Sequence, residues 1–145
     1  MRAVLDTNIL ARAAASPFGP AGELFERIST GHTLLVSSEL LDELSGVLGR
    51  DWVRRVNRRS ETDIAEFVGS IEAGGRLISL PKPVPRVVPG DPDDDLIVAV
   101  AVAGRADVIC TLDHHFYENQ VQDYCRARMI EIMDDVELLV RLRKA

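Results

Sequence analysis

Arg2-Ala3-Val4-Leu5-Asp6-Thr7-Asn8-Ile9-Leu10 runs a strand, an acid and the start of a helix together without a spacer. The apolar run from Arg2 to Leu5 has the length of a buried strand, and Asp6-Thr7-Asn8 stops it. Helical character resumes at Ile9-Leu10-Ala11-Arg12-Ala13 until Ser16-Pro17-Phe18-Gly19-Pro20 forces a loop. The same grammar repeats outward. A helix over 21–29 carries Leu24, Phe25 and Ile28 at core spacing, and Thr33-Leu34-Leu35-Val36 reads as a second buried strand. Ser37 or Ser38 then caps an amphipathic helix holding Leu40, Leu41, Leu44, Val47 and Leu48. A helix over 62–73 ends at Gly74-Gly75, and 77–80 is strand-like. The five prolines between Pro81 and Pro92 predict a loop, because each fixes φ and removes a donor. A strongly apolar helix over 94–103 ends at Gly104, followed by strands at 107–111 and 129–133 and a final helix capped by Asp134. Strands alternating with helices predict a three-layer α/β/α sandwich with a mostly parallel central sheet, as a single domain over 1–145.

Composition sets bounds on this reading. With 145 residues, 46% of them hydrophobic, the chain can bury one sizeable core. No apolar stretch approaches the roughly 20 residues of a membrane span. Asp6 also interrupts the N-terminus before the apolar region of a secretory leader can develop. Cys110 and Cys125 form neither a disulfide framework nor zinc-type spacing, so cytoplasmic residence is the expectation. A net charge of −6 argues against a general nucleic-acid binder, but acids gathered around a cation lose their repulsive effect. The positive charge is clustered as well, in Arg50, Arg54, Arg55, Arg58 and Arg59. That segment reads either as a solvated face with Trp52 tucked into the core, or as a grip on an RNA backbone with Trp52 offering a stacking face.

In open α/β sheets ligands bind at the carboxyl ends of the strands, so the residues there carry the chemistry. Asp6 follows the first strand. Glu43 lies on the helix after the second, bordering its core stripe, with Glu39 and Asp42 as rivals for the same place. Asp91, Asp93, Asp94 and Asp95 open the apolar helix, and Asp113 follows the 107–111 strand. No serine elbow, Cys–His pair or glycine-rich phosphate loop competes with them. Two carboxylates about 4 Å apart repel by roughly 4 kcal/mol at a surface-like dielectric. Several together must retain protons or recruit cations, and hard oxygen donors favour Mg²⁺ or Mn²⁺. Such a cation activates water and neutralises the charge that develops in phosphodiester hydrolysis. Taken singly, each acid also has an ordinary role as a helix cap, a solvated glutamate or a turn former.

These residues resemble the motifs of PIN domains. Val4-Leu5-Asp6-Thr7-Asn8-Ile9-Leu10 looks like the opening motif, and Ser37-Ser38-Glu39-Leu40-Leu41-Asp42-Glu43-Leu44 resembles the second, whose last glutamate is the metal-site residue. Asp91 through Ala101 is similar to the third motif, and Ala106-Asp107-Val108-Ile109-Cys110-Thr111-Leu112-Asp113 to the fourth. The pattern is most similar to the bacterial branch described as toxins of toxin–antitoxin systems, related to VapC. The resemblance implies a Rossmann-like fold, Mg²⁺- or Mn²⁺-dependent endoribonuclease activity, homodimers or higher homo-oligomers, and a cognate antitoxin. Carried over by position, it makes Asp6, Glu43, Asp94 and Asp113 the metal-binding and catalytic acids. Asn8 and Thr111 become residues that hydrogen-bond those carboxylates, Asp91 a loop acid, and Asp95 a place often taken by asparagine. One departure stands out: a second aspartate commonly follows two residues after the fourth acid, and here that place is His115. This histidine reads either as a surface residue or as a contact to RNA phosphate, and loss of the acid would weaken the metal site.

Two rival functions share the acidic pocket. A receiver-like or phosphatase-like phosphotransfer module needs a positioned lysine, and the only lysines are Lys82 and Lys144. A non-catalytic interaction module would keep the fold without the activity.

Overall fold

Strands β1 (Arg2–Leu5), β2 (Thr33–Val36), β3 (Arg76–Leu77), β4 (Val108–Cys110) and β5 (Glu131–Met133) pair in the order β3-β2-β1-β4-β5. Every neighbouring pair is parallel. The computed structural model describes residues 1–50, 53 and 58–144. Trp52, Arg54 and Arg55 lie outside the described residues.

The strands are short and apolar because both of their faces are covered. Ala3, Val4, Leu5, Leu35, Val36, Ile109 and Cys110 have no exposed surface. The connecting helices are α1 (Thr7–Ala15), α2 (Pro20–Gly31), α3 (Ser38–Leu48), α4 (Glu61–Gly74), α5 (Pro92–Ala103), α6 (Asn119–Arg126) and α7 (Asp135–Lys144). Helix α1 packs on α2 and α3, and α3 on α4. Helix α5 packs against β1, β2 and β4, and α7 returns to meet α2.

Strand order decides where a site can form. The chain builds outward from β1 to β3, then crosses back to start β4 on the opposite side of β1. The crevice at the carboxyl ends of β1 and β4 is therefore the topological switch point, where α/β sheets bind ligands. Leu5 pairs with Cys110, so the two strands end level, and the Asp6 N–H donates to the Cys110 carbonyl at 2.9 Å.

Three elements differ from the sequence expectation. Helix α5 begins at Pro92 with Asp91 as its N-cap, not at Asp94, because proline at the first helical position uses a place where no N–H is needed. Strand β3 covers only Arg76–Leu77 and gives way to the proline-rich loop within a few residues. The segment after Asp113 forms a 3₁₀ turn (His114–Tyr117) and then α6, which no apolar run announces. They are anchored by Phe116, Val121 and Cys125, all fully buried.

Candidate functional site

Asp6 is the N-cap of α1, and its Oδ1 accepts the Thr7 N–H at 2.7 Å. Its other oxygen, Oδ2, accepts the Thr111 hydroxyl at 2.6 Å. Thr111, fully buried at the end of β4, also accepts the Asp113 N–H at 3.0 Å. One threonine thus ties together the acids that follow β1 and β4. Asn8 does not share this work. It is exposed, and among the described residues it makes no hydrogen bond to a carboxylate. Thr7 contributes its backbone N–H to Asp6, and its buried hydroxyl makes no hydrogen bond.

Helix α5 brings the next group. Asp91 as N-cap accepts the Asp93 N–H at 2.9 Å, and Asp94 occupies the third helical position. Cap and third-position side chains lie side by side, as in a capping box. Asp91, Asp94, Asp113 and His115 each offer one ligand atom, and these atoms all lie within 4.8 Å of one another. The loop-acid reading of Asp91 is therefore corrected: its cap geometry turns it into the cluster. His115 is likewise not a surface residue. Its side chain is 28% exposed, and Nδ1 stands 3.3 Å from Asp94 Oδ2 and 3.2 Å from Asp113 Oδ1.

Asp6 and Glu43 do not join that tight group, but they lie in its field. Burial raises the Asp6 carboxyl, with Asp113 and Asp91 adding to the rise and the Thr111 and Thr7 hydrogen bonds opposing it. Burial, then the charges of Asp93, Asp6 and Asp91, pushes Glu43 up to about 7. The Thr7 hydroxyl pulls Glu43 weakly the other way, although its placement falls short of a hydrogen bond. Asp94 is pushed up to about 7 by burial, then by Asp113 and Asp91. Glu43 is thus the glutamate of α3 that feels the cluster, while Asp42 points to solvent.

The donor set fits a divalent cation. Glu43 Oε2 and Asp94 Oδ2 are buried without a hydrogen-bond partner, and a buried carboxylate oxygen left unpaired is costly. The carboxylates around them supply hard oxygen donors. Asp95, by contrast, faces away from the cluster. Its Oδ1 accepts the Val87 and Val88 N–H groups at 2.8 and 2.7 Å, and Oδ2 pairs with Arg86 Nε at 2.7 Å. It fastens the proline-rich loop to α5.

The remaining candidates scatter. Arg50 and Arg58 are exposed, whereas Arg59 Nη2 donates to the Ala14 carbonyl at 2.6 Å and so serves the packing of α1. Lys82 lies in the proline-rich loop and Lys144 ends α7, both exposed and outside the cluster. Among the described residues, no helix is long and apolar enough to cross a membrane. Sequence reasoning missed Asp91 and His115 as members of the cluster. The Asp91-Pro92 pair was a usable signal for the first, since it marks a helix start three residues before Asp94.

A doubly wound parallel sheet with carboxylates crowded at its switch point defines an α/β protein built around an acidic, cation-ready crevice. A family model described as PIN domain matches residues 2–115. The chain belongs to the PIN domain family, whose members are in general nucleases. No curated protein matches it significantly. Among solved structures it is similar to a chain of VapBC2 from Rickettsia felis, bound to a DNA fragment from their promoter, with a TM-score of 0.62. Identity is 15%, over 92% of this chain and 98% of that one, so the likeness is one of fold.

Proposed function

We propose that the chain is a Mg²⁺- or Mn²⁺-dependent endoribonuclease, the toxin of a toxin–antitoxin pair, whose cation sits in the acidic crevice of Asp6, Glu43, Asp94 and Asp113, with Asp94 and Asp113 among its ligands and Asp6 and Glu43 flanking them. The observation that carries this reading is the pair of buried carboxylate oxygens, Asp94 Oδ2 and Glu43 Oε2, without partners amid other carboxylates. A bound divalent cation would give those oxygens a partner, activate a water and neutralise the charge developing on the phosphodiester.

The chain's own residues prepare the site for this. Thr111 fixes the orientation of Asp6 and, through the Asp113 N–H, the turn that presents Asp113. Glu43, pushed up to about 7 by burial and the neighbouring carboxylates, marks how strongly this crevice disfavours further negative charge until a cation is bound. An open groove of about 580 Å³, lined by Asn8, Arg12, Val47, Asp113 and His114, runs past the acids. It offers a single strand a path to the cluster, with Arg12 available to a phosphate. Arg50 and Arg58, both exposed, are further candidates for contact with RNA phosphate. The antitoxin partner rests on the motif resemblance and on the VapBC2 fold likeness. Homo-oligomer assembly follows from the same resemblance, and residence in the cytoplasm from the cysteine usage of the sequence.

Incubating the protein with labelled single-stranded RNA in Mn²⁺, Mg²⁺ or EDTA tests the proposal. Cleavage in a divalent ion, abolished by EDTA and by Asp6→Asn or Asp94→Asn in folded protein, is the expected result. Absence of cleavage of any RNA in either ion removes the nuclease reading.

A further inference from the structure

We infer that His115 is a ligand of the cation, so that the site holds one imidazole nitrogen beside the carboxylates of Asp91, Asp94 and Asp113 and selects Mn²⁺ over Mg²⁺. The inference rests on the reading of this cluster as a cation site. Three observations support the histidine as a donor rather than a bystander. First, Nδ1 stands 3.3 Å from Asp94 Oδ2 and 3.2 Å from Asp113 Oδ1, yet neither contact has the geometry of a hydrogen bond. Adjacent donors on one octahedral ion, each about 2.1 Å from it, stand about 3 Å apart, which is close to this spacing. Second, Asp94 is 5% exposed and its Oδ2, aimed at the same point, has no hydrogen-bond partner. Third, the ring has been given a berth. A Cβ added at Gly90 would come within 3.1 Å of His115 Nε2 and 3.4 Å of Cδ2, so the proline-rich loop passes the imidazole where it carries no side chain. His114 lies on the ring with centroids 4.3 Å apart, and the His115 N–H donates to Asp113 Oδ1 at 3.0 Å.

An imidazolium paired with the acids is the competing account, and it makes the opposite demand on Nδ1. As an ion-pair partner Nδ1 carries a proton; as a ligand it offers a lone pair. Imidazole suits transition ions, whereas an all-oxygen site suits Mg²⁺, so the substitution of histidine for an acid changes which ion is preferred.

Pulsed electron paramagnetic resonance of the full chain loaded with Mn²⁺ reads this without recourse to activity. Coupling of the manganese to an imidazole ¹⁴N is expected, and it disappears in His115→Gln. Calorimetric titrations with Mn²⁺ and Mg²⁺ provide the second measurement. His115→Asp, which makes the donor set all oxygen, is expected to narrow the Mn²⁺ preference by roughly tenfold relative to the parent chain. Thermal unfolding confirms that the variants fold, and the spectrum of the parent chain stands even if they do not. Tight Mn²⁺ binding without nitrogen coupling would overturn the assignment of His115 and leave the cation site standing. If neither ion binds, both readings fall together.

Discussion

Thr111 is the single side chain on which the geometry of the crevice turns. Its hydroxyl donates to Asp6 and accepts from the Asp113 N–H, with no exposed surface. Thr111→Val keeps the shape and removes both interactions, leaving a half-buried N–H and a buried carboxylate short of a partner. A loss of about 1–3 kcal/mol in urea unfolding is expected. Because the two acids are no longer held, Mn²⁺ affinity should also weaken by roughly tenfold, as for other groups that orient metal ligands. An unchanged Mn²⁺ affinity would reduce Thr111 to a packing role. Asp95 supports the site from further away. Asp95→Leu strands the Val87 and Val88 N–H groups and should cost at least about 2 kcal/mol, whereas Asp95→Asn keeps an acceptor and should recover most of it. Equal losses in the two variants would mean that the Arg86 ion pair, not the backbone bonds, is what matters.

Among the elements, α5 and α2 show how local signals set positions at a distance. The Asp91 cap and Pro92 fix the first turn of α5, and that turn delivers Asp91 and Asp94 together. Its N-terminal dipole also favours the carboxylates placed there. Helix α2 is held close to the preceding loop at Gly22, where an added Cβ would fall on the Pro17 carbonyl. Backbone on both sides leaves little room to relax. Gly22→Ala should therefore destabilise by about 1–3 kcal/mol in chemical denaturation despite the better helix propensity of alanine. A stabilised variant would show that the loop at 16–19 yields easily. In the arginine-rich segment, Arg50 and Arg58 are exposed and available to phosphate, while Arg59 is engaged with α1. Replacing Arg50 and Arg58 by alanine should weaken RNA binding and flatten its salt dependence, and replacing Arg59 should act on stability instead.

For the whole molecule, the crowding of acids predicts an unusual pH response. Glu43 and Asp94 are both pushed up to about 7 in the folded chain, against ordinary values of 4.5 and 3.8. The folded state therefore binds more protons than the unfolded state between those values, so stability falls as pH rises through that window. Thermal unfolding in EDTA should show a melting temperature that drops from about pH 5.5 to about pH 7.5, as the raised groups lose their protons in the folded chain. Adding Mn²⁺ at the upper end should reverse the drop, and Glu43→Gln should reduce the slope in EDTA. A melting temperature that climbs over the same window without metal would contradict the raised values.

The sequence by itself determined the elements and the acids at their ends. Short apolar runs broken by Asp6 and Asp113, and the leucine spacing of α3, are local patterns that carry their own physics. They yielded a parallel α/β sheet with acids at its carboxyl edge, and the motif resemblance narrowed those acids to Asp6, Glu43, Asp94 and Asp113 and added Thr111 as a partner of the carboxylates. Only the tertiary structure decided which groups meet. Asp91, His115 and Gly90 come together because α5 and the 3₁₀ turn after β4 converge on one crevice, and no sequence period links residues that far apart. It likewise decided that Thr7 rather than Asn8 donates to Asp6 and that Asp95 turns away to hold a loop. Burial and the mutual field of the carboxylates exist only after the chain has closed around them.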